Sequence, residues 1–225
     1  MKNRILSLAL ILVLLFTCGC QKQPANNNSE AEELYNYEVT HESFEEMKIL
    51  HSATDFYGFS SEQELFDKVD LVFIGMPLDT FTECETRYYN LDETSEVTKD
   101  DKYFASYTIR NVKVVEVLKG DCNINDTIKI AERGTVQEAD NGDSIISGVP
   151  QEYKIAKKNA KYLYYVSYDR YHDFYMAHMD NGKINIDNLD INSNILIDSS
   201  RLNEVKTRYA AEFEKYDRSS ELAAK

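Results

Sequence analysis

Residues 105–118 read ASYTIRNVKVVEVL, and the way they pleat decides the fold. β-Branched and aromatic residues dominate this run, which predicts a long strand. Its apolar positions begin on Tyr107 and Ile109, switch to Val112 and Val114, and return to Val115 and Val117. Successive side chains of a strand point to opposite faces, so one face of an unbroken pleat cannot hold all six. Either a bulge interrupts the strand or it coils sharply between two packed surfaces. Lys119-Gly120-Asp121 turns the chain, and TIKIA at 127–131 brings it back.

Upstream, VDLVFIGM at 69–76 is apolar apart from Asp70 and is closed by Pro77, which predicts a strand buried on both faces. A short helix precedes it, with Ser60 and Gln63 at capping-box spacing ahead of Leu65-Phe66. Residues 79–101 are acidic and predict a long loop, as do the glycine-bearing residues 133–152. KYLYYVSY at 161–168 predicts a further strand, and 171–179 and 183–186 flank Asp180-Asn181-Gly182, a strong hairpin signal. In the tail, Leu202, Val205, Tyr209, Phe213 and Tyr216 recur at helical spacing, opened by Ser199-Ser200. Residues 34–59 show no clean period. The expected domain therefore spans 34–198, followed by an amphipathic helix over 199–225.

The order short helix, VDLVFIG, long loop, YTIRNVKVVEVLKGD, DTIKI, glycine-bearing loop, KYLYYV resembles the netrin-like module shared with tissue inhibitors of metalloproteinases and their bacterial lipoprotein relatives. Asp70, Val72 and Gly75 match that family's D-x-V-x-x-G pattern, and Lys119-Gly120 its Lys-Gly turn. Over residues 62–190 the resemblance implies a mainly β fold, a small closed five-stranded OB-type antiparallel barrel. It does not imply inhibition. The inhibitors chelate zinc through the free amine of an N-terminal Cys-x-Cys, and here Cys18-Gly19-Cys20 spans an expected cleavage point.

Lys2 and Arg4 followed by an apolar run over 5–16 suit a signal peptide, and the run is too short for a membrane span, which needs ~20 apolar residues. With Gly19-Cys20 at its end, residues 1–19 resemble the leader of bacterial lipoproteins. That resemblance implies cleavage before Cys20 and a diacylglycerol on its sulfur, with an N-acyl chain added in many bacteria. Cys18 is the runner-up, since Leu15 stands three residues before it, although Thr17 is unusual at a cut. The polar stretch 20–33 predicts a disordered tether. The Asn-, Ile-, Lys-, Asp- and Tyr-rich composition resembles proteins of low-GC Gram-positive bacteria, which places the anchor at the cell membrane, on its extracytoplasmic face.

A net charge of −14 argues against nucleic acid and against electrostatic docking on anionic lipid, and it favours a soluble monomer on its anchor. Cys84 and Cys122 fall at opposite ends of the expected pairing of 70–83 with 104–118, which predicts two free thiols. His172 and His178 share one face of a predicted strand about 20 Å apart, too far for one metal; His41 and His51 fall in the unassigned segment. Asp190-x-Asn192-x-Asn194 opens like a calcium loop but lacks the later glycine and glutamate, and the acidic run 92–101 reads as a solvated charge run. No cofactor or metal signature stands out. The tyrosines of 161–175 offer a stacking face, with Tyr164, Tyr168, Tyr171 and Tyr175 as its candidates. The expected role is a non-enzymatic module that binds an unidentified envelope or extracellular protein. The alternative is a small-ligand-binding or hydrolytic lipoprotein that uses the tyrosines or the acidic loops.

Overall fold

The computed structural model describes residues 41–52, 58–90, 96–98, 105–151, 153–177, 182–195 and 197–222. Its strands are β1 (Lys48–Ser52), β2 (Leu71–Pro77), β3 (Glu85–Tyr89), β4 (Glu96–Val97), β5 (Ala105–Lys119), β6 (Thr127–Arg133), β7 (Thr135–Glu138), β8 (Ser144–Pro150), β9 (Tyr162–Asp169), β10 (Phe174–Ala177) and β11 (Lys183–Asn185). The helices are α1 (Glu62–Lys68), α2 (Ser199–Arg208), α3 (Ala210–Tyr216) and α4 (Ser219–Leu222).

Five strands close a barrel. β2 pairs antiparallel with β5 on one side and β9 on the other, β5 with β6, and β10 with β9. The parallel pair of β6 with β10 completes the ring. In chain order the ring runs first, second, third, fifth, fourth, the small closed OB-type barrel expected, antiparallel but for that one pair. Every residue of β2 is buried, as a strand paired on both edges requires. The interior holds Leu71, Phe73, Val112, Val114, Ile130, Tyr162, Tyr164 and Val166.

β5 uses both devices that its sequence suggested. Val112 and Val114 enter the interior, while Tyr107 and Ile109 pack outside it with Tyr89, Ala131 and Phe174. Ile74 pairs with Glu116 and Gly75 with Val114, so Val115 bulges out and Val117 returns to the barrel core. Gly75 sits at a close approach: a Cβ there would lie 2.5 Å from the Phe73 ring and 2.6 Å from Val112 Cγ1.

Other expectations need correction. Ser61, not Ser60, caps α1, accepting from the Glu64 amide at 3.1 Å, while Glu64 takes the Ser60 amide at 2.9 Å and Gln63 turns to Asp67. The acidic stretch 79–101 is not a plain loop, since β3 extends the sheet from the first half of β5 and β4 pairs with β3. The expected loop 133–152 holds two strands of a second sheet, in which β8 pairs antiparallel with β7 and parallel with β1. Polar side chains hid these strands because their outer faces meet water. The described parts of the expected Asn-Gly hairpin do not pair with each other: β10 and β11 lie along the same edge of β9, opposite Val166–Asp169 and Tyr162–Tyr164. Asp180 and Asn181 lie outside the described residues. The tail is not one helix, for it breaks at Tyr209 and again before α4, and Asp198 caps it in place of Ser199. Cys84 and Cys122 are both free thiols, and burial lifts the Cys84 thiol to about 11.

Candidate functional site

Three strands carry charge into one end of the barrel. Arg110 shares the pleat side of Val112 and Val114, Glu132 that of Ile130, and Lys183 opens β11. All three are buried. Glu132 Oε2 accepts from Arg110 Nη1 at 3.1 Å, and Oε1 accepts from Lys183 Nζ and Tyr153 Oη, both at 2.7 Å, and from the Ala156 amide at 3.2 Å. Lys183 Nζ also donates to Tyr153 Oη at 3.1 Å and to the Lys154 carbonyl at 2.5 Å. Arg110 reaches the Ala156 and Asp79 carbonyls at 3.0 and 2.5 Å. Burial alone would push the Glu132 carboxyl up, but the Lys183 and Arg110 cations outweigh it and hold the group below its ordinary range. Burial, with Glu132 alongside, lifts the Tyr153 phenol well above its usual value.

This cluster has the residue types of general acid–base chemistry but not the freedom. Lys183 has three N–H donors and three acceptors, and the Glu132 carboxylate accepts four hydrogen bonds. Its work is to fasten residues 153–156 across the barrel end. Sequence reasoning missed it; the available signal was a charged residue on the pleat side of apolar neighbours, Arg110 with Val112 and Val114 and Glu132 with Ile130.

The candidate tyrosines separate. Tyr164 is 1% exposed and stacks on Phe73 in the barrel core, with ring centroids 5.2 Å apart, which removes it from any surface. Tyr168 and Tyr175 pair across β9 and β10, and Tyr171 lies in the turn that joins these strands. Tyr171 is 83% exposed and Tyr168 41%, and the Tyr168 and Tyr175 rings stand 5.1 Å apart. The turn is stiff: Asp169 accepts from the Tyr171 amide at 2.9 Å and pairs with His172 Nδ1 at 2.8 Å, and Tyr168 Oη donates to Asp173 at 2.7 Å. Behind it the His172 ring stacks on Phe174 and contacts Tyr89, with centroids 5.5 and 4.1 Å away. His172 is therefore a turn residue rather than part of a strand, and His178 lies outside the described residues.

The motif residues Asp70, Lys119 and Gly120 meet at this same end. Asp70 accepts from the Tyr168 amide at 2.8 Å. Lys119 Nζ donates to the Phe66 and Val69 carbonyls at 2.5 and 2.7 Å, closing the C-terminus of α1. Gly120, at φ +93°, lies where a Cβ would come within 2.6 Å of the Asp70 carbonyl oxygen.

Elsewhere, Asp190 accepts from Tyr162 Oη at 2.7 Å, and Asn194 exchanges hydrogen bonds with the Asn185 backbone, so the calcium-like stretch holds β11 in place. Among the described residues, no three His, Cys, Asp or Glu side chains converge as a metal set, and no helix is long and apolar enough to cross a membrane. Asp140, Asn141 and Gly142 form the β7–β8 turn. It borders a shallow cleft of about 800 Å³ with Glu46, Lys48 and Glu138 on its walls. Cys20, its alternative Cys18, the leader and the tether all lie outside the described residues. No family, curated protein or solved structure matches this chain.

Proposed function

We propose that the protein is an extracytoplasmic lipoprotein of the cell membrane, anchored through a diacylglycerol on Cys20, whose barrel is a non-enzymatic binding module for an envelope or extracellular protein. The netrin-like resemblance belongs to this proposal, and its motif residues Asp70, Lys119 and Gly120 support it as parts of the barrel scaffold. The observation that carries the binding role is the β9–β10 turn. Tyr171 stands 83% exposed on a turn pinned by Asp70, Asp169 and Asp173, with the Tyr168–Tyr175 pair at its base. Rigid, amphipathic tyrosines presented with little entropy left to lose are suited to protein contacts. The filled hydrogen-bonding capacity of Lys183 and Glu132 makes the buried charges a poorer basis for an enzyme.

Cross-linking on intact cells tests the proposal. A photo-reactive residue in place of Tyr171 is expected to capture one protein partner, and capture should fall at least tenfold when Tyr168 and Tyr175 are changed to Ala. Unchanged capture in that background, or capture as efficient from a position in the β7–β8 turn, argues against the tyrosine turn as the contact surface.

A further inference from the structure

A cavity of about 210 Å³ opens between β1, β8 and the 3₁₀ turn Ile191–Asn194. Phe44, Ile49, Val149, Tyr153 and Ile155 line it with apolar surface, and Asp190 closes one side. Asp190 is only 6% exposed. Its Oδ2 accepts from Tyr162 Oη at 2.7 Å, while Oδ1 takes no hydrogen bond from the described residues.

The cations around it are committed elsewhere. Lys157 pairs with Glu45 at 2.5 Å, and Lys183 pairs with Glu132 at 2.7 Å. Lys154 and His51 border the cavity but are exposed, and Asp190 makes no ion pair with any described residue. A buried carboxylate without an ion-pair partner is costly: burial pushes the Asp190 carboxyl up, and the Lys157 and Lys183 cations, beyond ion-pair distance, offset this only in part. Its one supporting donor is a neutral phenol. No cation is paired with this carboxylate, and the apolar floor suits a short alkyl chain behind one that would be. Its volume is below the ~300–1,000 Å³ typical of larger ligands.

We infer that this cavity binds a primary alkylammonium group, with the nitrogen on Asp190 Oδ1 and the alkyl stem against Phe44, Ile49 and Val149. The same chemistry is carried by a free small amine and by a lysine side chain of a peptide. The site is remote in sequence from the tyrosine turn and stands independently of the role proposed for it.

Calorimetric titration of the purified full chain with n-butylamine tests the inference, with butanoate as the charge-reversed control. Saturable binding of butylamine and none of butanoate is expected. Asp190→Asn keeps an acceptor for Tyr162 and should weaken binding at least tenfold. Ile49→Trp fills the floor without touching the carboxylate and should do the same, so it carries the test if Asp190→Asn does not fold. Tyr171→Ala should leave binding unchanged. A capped Ala-Lys-Ala peptide that competes with butylamine identifies a lysine side chain as the source, and a peptide that does not compete identifies a free amine. Absence of saturable butylamine binding, equal binding of butanoate, or wild-type affinity in both cavity variants overturns the inference.

Discussion

Glu132 accepts from Arg110, Lys183, Tyr153 and the Ala156 amide, and removing its charge would leave two buried cations facing each other. Breaking a buried pair from one side typically costs about 3–5 kcal/mol, because the uncompensated charge remains. Glu132→Gln is therefore expected to lower unfolding stability by about that amount, measured by denaturant titration. The pH dependence follows from the direction of the shift. The Glu132 carboxyl is held below its ordinary 4.5, so its stabilisation is fully present above that value and is lost as pH falls through the folded pKa. Glu42, Asp187 and Asp190 are shifted upward by burial and contribute with the opposite sign. The difference between wild type and Glu132→Gln isolates the single group: it should be constant near neutrality and shrink below about pH 4.5. A difference that grows on acidification would contradict the assignment. Gly120→Ala tests backbone instead of charge. A positive φ combined with a Cβ 2.6 Å from the Asp70 carbonyl oxygen should cost about 2 kcal/mol or more, again by denaturant titration.

At the scale of elements, Lys119 joins the end of β5 to α1 through the carbonyls that the helix leaves unpaired. Lys119→Met keeps most of the stem and removes the donors, and hydrogen bonds from a charged group contribute about 1.5–3 kcal/mol. Amide exchange in α1 should accelerate more than exchange in β6, since only α1 loses its C-terminal cap; uniform acceleration would mean that the lysine supports the barrel as a whole. The helix was legible in the sequence, and so were β2, β5 and β9, because apolar runs with turn residues at their ends carry strand information locally. The bulge at Val115 was legible too, as a break in alternation. β3, β7 and β8 were not: their side chains alternate weakly, and their place depends on edges supplied by distant strands. The candidate site failed in the same way. KYLYYVSY holds tyrosines on both pleat sides, and β9 is buried on both. Tyr164 faces the barrel interior, and Tyr165 lies under Tyr209 with its hydroxyl on Glu62 at 2.7 Å. Only near the turn, where the covering elements end, do Tyr168 and Tyr171 reach solvent.

For the whole molecule, charge and the proposed lipid make opposing demands on where the chain resides. A net charge of −14 repels an anionic membrane surface, so the folded domain has no electrostatic means of staying there. The proposed anchor must supply the whole attachment. Each buried CH₂ of an acyl chain contributes about 0.8 kcal/mol, and two chains hold stably where one is marginal. Cys20→Ala should therefore abolish incorporation of a labelled fatty acid and move the protein from the membrane fraction to the medium. Raising the salt concentration should not release the wild type, because ionic contacts do not hold it. Cys18→Ala should change neither result, since the proposed cleavage removes that residue with the leader. Persistent labelling in Cys20→Ala together with its loss in Cys18→Ala would move the cut to Cys18. Membrane retention of a Cys18→Ala, Cys20→Ala double variant would show that the apolar run over residues 5–16 is itself the anchor, and the proposed lipoprotein processing would then be wrong.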